Sequence, residues 1–198
     1  MALSLFIIEK KARLIVVFIL VGMTVCLLAG ELNTRIYLAI DKDILYFTTT
    51  VSPVTEEILK ALSILFYALF ISDNRQKLSQ SAFAEGLGFA IMENVIMITR
   101  NPYGIDIKWA IMRGLGTSLM HSICTIVVGM GISYVRKKKK LFYCGTLSLL
   151  MLAITYHSIF NTLVVSKNRY LGTFLPICTY IPILIFSFKG KKAEEKTR

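Results

Sequence analysis

Two adjacent glutamates, Glu56 and Glu57, head an apolar stretch from Val54 to Ser72 that also contains Lys60. A charged side chain at bilayer depth costs on the order of 3 kcal/mol or more unless it is paired, so such groups face a bundle interior or a wet cavity. Glu93, His121 and His157 each lie inside another long apolar stretch. Carboxylates and imidazoles gathered in hydrocarbon suit proton chemistry or metal chemistry within a membrane.

Helical spacing groups these residues further. Glu56 and Lys60 are i,i+4, and Glu57 and Lys60 are i,i+3, so the ammonium can neutralise one carboxylate and leave the other as a general base. His157 and Asn161 are also i,i+4, and an imidazole and an amide on one face can orient a water and stabilise an oxyanion. Glu93 is followed by Asn94, and Arg113 lies two turns before His121 on the same stretch. Small residues nearby (Gly86, Gly88, Gly114, Gly116, Ser118) let helices approach closely. Singly, each polar residue has a plainer role. A lone histidine or Asn161 can be an interhelical hydrogen bonder, and Lys60 and Arg113 can balance acids or snorkel. Glu85 falls toward the cytoplasmic end, where a structural role is expected. The aromatics Phe66, Tyr67, Phe70 and Phe83 read as packing or lipid-facing residues. Cys26, Cys124, Cys144 and Cys178 show no metal-ligand or disulfide spacing and read as small apolar fillers.

The elements that must position these groups follow from composition. Of 198 residues, 55% are hydrophobic and only 18% charged. The apolar runs reach the ~20 residues needed to cross about 30 Å of hydrocarbon. The expected fold is therefore all-α, a polytopic transmembrane helix bundle forming one domain over 1–198. Six spans are expected near 14–30, 54–72, 81–99, 109–135, 141–165 and 170–188. Residues 31–53, with Asp41, Lys42 and Asp43 in their midst, read as an outer interfacial or re-entrant segment, with Pro53 starting the next helix. The fourth span is long enough to tilt, with Trp109 and Tyr134 near the interfaces. The N-terminal apolar run reads as a retained span rather than a cleaved signal.

The net charge of +11 raises nucleic acid as a partner. However, the basic residues lie between and beyond the apolar runs, where the positive-inside rule puts them, so a lipid bilayer and no nucleic acid is expected. Lys10, Lys11, Arg13, Arg75, Lys77, the run Arg136 to Lys140 and the tail from Lys189 share one side, which is taken as cytoplasmic and holds both termini. Arg35, Lys42, Arg100, Lys108, Lys167 and Arg169 share the other. This orientation sets Glu56, Glu57, Glu93, His121 and His157 at compatible depths in the outer half of the bilayer.

Several hydrolase chemistries can be checked against the residues. H-E-x-x-H is absent, and the four aspartates fall in loops or in the ambiguous outer segment. Ser118 and His121 share a helix face, but no G-x-S-x-G accompanies them. Glutamate with histidine is what remains.

At these residues the chain resembles the PrsW family of intramembrane proteases, related to the CAAX-protease and bacteriocin-processing group. The resemblance rests on Glu56-Glu57-Ile-Leu-Lys60, Gly88-Phe89-Ala-Ile-Met-Glu93-Asn94, the Arg113-to-His121 helix continuing through Gly129 and Gly131, and His157-Ser-Ile-Phe-Asn161, in order over about 53–165. One departure is Ser79-Gln-Ser-Ala-Phe83, which lacks an acidic residue before the second motif. The resemblance implies cleavage of a membrane-anchored protein or peptide near the outer face, as in the first cut of an anti-sigma factor. It implies that Glu56 or Glu57 activates water, that His121 or His157 assists, and that Asn161 helps bind the oxyanion. Glu93 and Asn94 would complete the polar site, with Lys60 and Arg113 in support. The related group suggests a metal-free glutamate mechanism, which is the version favoured here, while Glu57, His121 and His157 with a water would also satisfy catalytic zinc. Two other classes stay open: an ion- or proton-coupled transporter, and a non-catalytic immunity or assembly protein.

Overall fold

In hydrocarbon every backbone polar group must be satisfied within the chain, and for apolar runs of this length the local solution is the helix. The computed structural model describes residues 9–40, 42–100, 106–135 and 137–196, and is all-α with no strand among them. Asp41, Arg136 and Arg198 lie outside the described residues, as do the side chains of Lys10, Lys11 and the basic tail from Lys189. Six long helices follow one another: α1 (Lys10–Ala39), α3 (Ser52–Phe70), α4 (Arg75–Arg100), α5 (Ile107–Ile132), α6 (Thr146–Val165) and α7 (Arg169–Lys196), with a short α2 (Ile44–Tyr46) between the first two.

Four stretches are long and apolar enough to cross a membrane: Ala12–Ala39, Arg75–Arg100, Ile107–Ile132 and Leu141–Val165. The protein is thus a multi-pass membrane protein. α3 is built differently, since it holds Glu56, Glu57 and Lys60 within 19 residues. It turns Glu57 and Lys60 inward and leaves Ile58, Leu62, Phe66 and Phe70 exposed. That is a soluble helix inverted, with the charges in its core face and the apolar stripe outside. α7 contains Pro176 and Pro182.

The structure differs most from the sequence reading at 31–53. α1 does not stop near residue 30 but runs unbroken to Ala39, and Glu31 and Arg35 form an exposed i,i+4 ion pair at 2.8 Å on its surface. The chain then reverses, and Asp43 caps α2 by accepting from the Tyr46 amide at 2.7 Å. A π-helical turn, Phe47–Val51, joins α2 to α3. Residues 44–70 therefore form one continuous helical run, in which Pro53 stands in the first turn of α3, as expected, directly after the π-helical turn. The reason is local: proline offers no N–H, and the wider turn just before it takes up the broken hydrogen-bond ladder.

α5 is the centre of the bundle, with 67% of its most apolar window buried against 28% for α1. It packs on α3, α4, α6 and α7. Met120, Cys124, Val128 and Ile132 carry the buried apolar contacts of its lower half. Close packing between α4 and α5 depends on Gly86, where a Cβ would fall 2.6 Å from the His121 carbonyl oxygen. Gly88 does the same for α1, where a Cβ would lie 2.0 Å from the Ile19 carbonyl oxygen. Gly114, in contrast, faces open space and takes no part in packing.

Candidate active site

α3 presents its charges one turn apart on the inward face, and the geometry is that of a buried ion pair. Lys60 Nζ donates to Glu57 Oε1 at 2.7 Å, with both side chains essentially inaccessible. The same ammonium donates to His121 Nδ1 on α5 at 3.0 Å and sits over the Phe89 ring, 4.9 Å from its centroid. An ammonium has no acceptor, so Nδ1 of His121 must be the unprotonated nitrogen. Nε2 of His121 then carries the proton and donates to Glu93 Oε2 on α4 at 2.9 Å. Arg113 Nη2 reaches the other oxygen of Glu93 at 3.4 Å.

The second imidazole is fixed by the same logic. His157 Nδ1 on α6 donates to Glu57 Oε1 at 2.8 Å, which leaves Nε2 as a lone pair, 3.8 Å from Glu56 Oε2. The two rings meet edge to face with centroids 4.8 Å apart. Glu56 is held from the far side. Ser52 Oγ donates to its Oε1, and so does Asn33 Nδ2 from α1, at 3.3 Å. Asn33 also donates to Ser52 Oγ at 2.9 Å and accepts from Thr55 Oγ1.

Glu56, Glu57, Lys60, Glu93, Arg113, His121 and His157 thus come together from four helices. The other two expected site residues do not join them. Asn94 turns back to the Ala90 carbonyl of its own helix at 2.9 Å. Asn161 donates to the Thr48 carbonyl at 3.0 Å, and the cause lies in the π-helical turn. There the Ser52 amide bonds to Phe47, so the next carbonyl, Thr48, would take the amide of residue 53. That residue is Pro53, which has none. The Asn161 amide fills the vacancy and is spent on holding α6 against the turn.

Glu85, for which a structural role is expected, is fully buried on α4 and accepts from Ser63 Oγ of α3. Asn33 and Ser52 are the functional-site residues that the sequence reading missed. Their signal was Asn33's position three residues beyond Gly30 on the continuation of the first apolar run, which only an unbroken α1 makes meaningful.

The residues fit a divalent cation. One ligand atom each from Glu56, His121 and His157 lie within 4.8 Å of one another. Donors of a tetrahedral zinc with ~2.0–2.1 Å bonds sit ~3.3 Å apart, so side-chain torsions need close the set by only about 1.5 Å. The carboxylate in this set is Glu56 rather than Glu57, whose Oε1 is occupied by Lys60 and His157. Oε2 of Glu57 is buried without a partner among the described residues. With both imidazoles neutral, the three carboxylates Glu56, Glu57 and Glu93 outweigh Lys60 and Arg113 by one negative charge. A bound cation would offset that excess.

Glu56 and Glu93 open onto a cavity of about 360 Å³ walled by α1, the 44–52 turn and α4. Glu57, His121 and His157 are closed off behind them. A hydrogen-bonded cluster of two histidines and a carboxylate, open on one side to a cavity in a membrane bundle, offers a donor set that could hold a metal ion. The chain matches the PrsW family intramembrane metalloprotease over residues 10–188 and belongs to that family. No curated protein and no solved structure matches it. The match extends well beyond the 53–165 core and takes in α1, which supplies Asn33. It sets aside the transporter and non-catalytic readings, and between the metal-free and metal-dependent mechanisms it names the latter.

Proposed function

We propose that the protein hydrolyses peptide bonds of membrane-anchored proteins or peptides, a class that includes anti-sigma factors, at the Glu56–His121–His157 centre. The single observation that carries this reading is the convergence of those three donor groups from α3, α5 and α6 to within 4.8 Å of one another, with Glu56 opening onto the cavity. In this reading α3 and α7 cross the membrane beside the four apolar spans. All six spans form one domain with both termini cytoplasmic and the cavity toward the outer face. The inward charges and outward apolar stripe of α3 support its place among the spans.

Glu56, His121 and His157 would hold the ion, and an ion held there supplies Lewis-acid polarisation of a carbonyl and acidification of water. The chain's own residues divide the remaining work. Glu57 fixes the His157 tautomer so that Nε2 faces the site, the carboxylate–histidine support typical of metal centres. Lys60 keeps Glu57 ionised and donates to His121 Nδ1, so for His121 to hold the ion through Nε2 its Nε2 proton would pass to Glu93 as Nδ1 takes one from Lys60. Ser52 and Asn33 occupy Oε1 of Glu56 and leave Oε2 to face His157. Glu93 is the carboxylate placed to accept a proton from the attacking water and pass it to the leaving amine. It lines the cavity, its side chain is 33% exposed, and Arg113 steadies its second oxygen.

The test is a single-pass reporter co-expressed with variants that still accumulate in the membrane. Glu56→Ala and His157→Ala are each expected to abolish cleavage. Reporter cleavage undiminished in both would remove the proposed centre.

A further inference from the structure

The cavity contains a glycine that packing does not explain. Cβ atoms built at Gly22, Gly86 and Gly88 would strike neighbouring backbone at 2.0–2.6 Å, whereas one built at Gly30 meets nothing within 4 Å. A helix-interior glycine without a close neighbour costs about 1 kcal/mol relative to alanine and gains no contact in return. Gly30 lines the cavity, between Cys26 and Asn33 on the face of α1 that looks toward Glu56 and Glu93. What its missing side chain preserves is room beside the carboxylates.

The cavity also has a cation at one end. Arg100 lines it from α4, seven residues beyond Glu93. It has no ion-pair partner among the described residues. Seven residues are nearly two full turns, so Glu93 and Arg100 share a face about 10.5 Å apart along the axis. An extended peptide advances about 3.3 Å per residue, so the same distance corresponds to about three residues of substrate.

Building on the protease reading, we propose that the α1/α4 groove binds an extended substrate segment, with Gly30 keeping the channel clear and Arg100 pairing with an acidic side chain about three residues from the scissile bond. Arg100 and Gly30 are specificity-determining here and take no part in the bond-breaking step. Carboxylates at the centre and a guanidinium at the end of one groove give it a polarity that a segment acidic at that single position matches.

The experiment uses quenched peptides reconstituted with the full-length enzyme in liposomes, each carrying one Asp, Asn or Lys at successive positions from the cut. Binding of the same peptides with an N-methylated scissile amide is measured in parallel. The wild-type enzyme is expected to prefer Asp over Lys about five- to tenfold at one position about three residues from the cut, in binding as well as in cleavage. Arg100→Glu should invert that order at that position alone. Gly30→Leu should weaken binding of every peptide at unchanged Tm, while Gly30→Ala has a smaller effect. An order of preference identical in wild type and Arg100→Glu would overturn the proposal, as would full binding by Gly30→Leu. If wild type binds the peptides with the Asp preference but cleaves none, the groove stands and the protease reading fails; cleavage without the preference is the converse.

Discussion

The site has two sides built on opposite principles. On the closed side, Glu57, Lys60, His121 and His157 are inaccessible, and their side-chain N and O atoms other than Glu57 Oε2 and His157 Nε2 have partners at 2.7–3.0 Å. On the open side, Glu56 and Glu93 line a cavity; Glu56 is held by Ser52 and by Asn33 at 3.3 Å, and Glu93 by His121 at 2.9 Å and by Arg113 at 3.4 Å. The closed side resembles a folding core made of charges, where removing one member strands the others in a low dielectric. The open side can lose a member and remain solvated. Stability and chemistry are therefore separable by mutation here, although the two sides touch through His121 and His157.

The sharpest break of that comparison is Glu93→Gln. The amide oxygen can still accept from His121 Nε2, so the fold should be kept, while the proton acceptor is lost. Cleavage is expected to fall by about 10²–10⁴-fold with Tm unchanged. A variant of wild-type activity would move the base to the closed side and dissolve the division of roles.

Lys60→Met tests the other half. It leaves Glu57 ionised with only His157 and deprives His121 Nδ1 of its donor, at a cost of about 3–5 kcal/mol read as a lower Tm in detergent. The double variant Glu57→Gln with Lys60→Met should recover much of that stability without recovering activity. Equal Tm in wild type and Lys60→Met would show that the pair is not buried as described.

How much of this was legible beforehand follows the same division. Charges inside apolar runs stand out in a sequence, and helical spacing alone pairs Lys60 with one of Glu56 and Glu57, so the members of the closed side were readable although this pairing was not. The convergence of Glu93, His121 and His157 was inferable from depth, because span order and the positive-inside rule fix heights even when contacts are unknown. The open side was not readable, for physical reasons. Asn33 lies among Glu31, Thr34 and Arg35, where one more polar residue carries no signal, and a charged stretch looks like the end of a span. The i,i+4 pairing of Glu31 with Arg35 instead lets α1 project as a helix and deliver Asn33 to Glu56. Choosing between Glu56 and Glu57 as metal carboxylate depended on which of them Lys60 took, and both spacings allowed it.

Asn33→Ala measures how far the open side depends on α1. Glu56 loses one of two donors to Oε1, and loss of such a supporting contact typically weakens metal affinity about 10–100-fold. Metal retained against a competing chelator reports this directly, and Tm should move little. Retention equal to wild type would confine α1 to walling the cavity.

The smallest effect is expected at Asn161, and it separates two physical roles for one amide. As the partner of the Thr48 carbonyl left bare by Pro53, Asn161 is a structural tie, and Asn161→Ala should cost about 1–2 kcal/mol of stability. Cleavage per folded molecule would then change by no more than severalfold. Were the amide instead to swing toward a developing oxyanion, the same variant would lose about 10²–10³-fold in kcat at nearly unchanged Tm. Replacing Pro53 with alanine gives the Thr48 carbonyl a backbone donor, so under the structural role Pro53→Ala should restore the stability of Asn161→Ala. Under the oxyanion role it should leave the loss of kcat untouched.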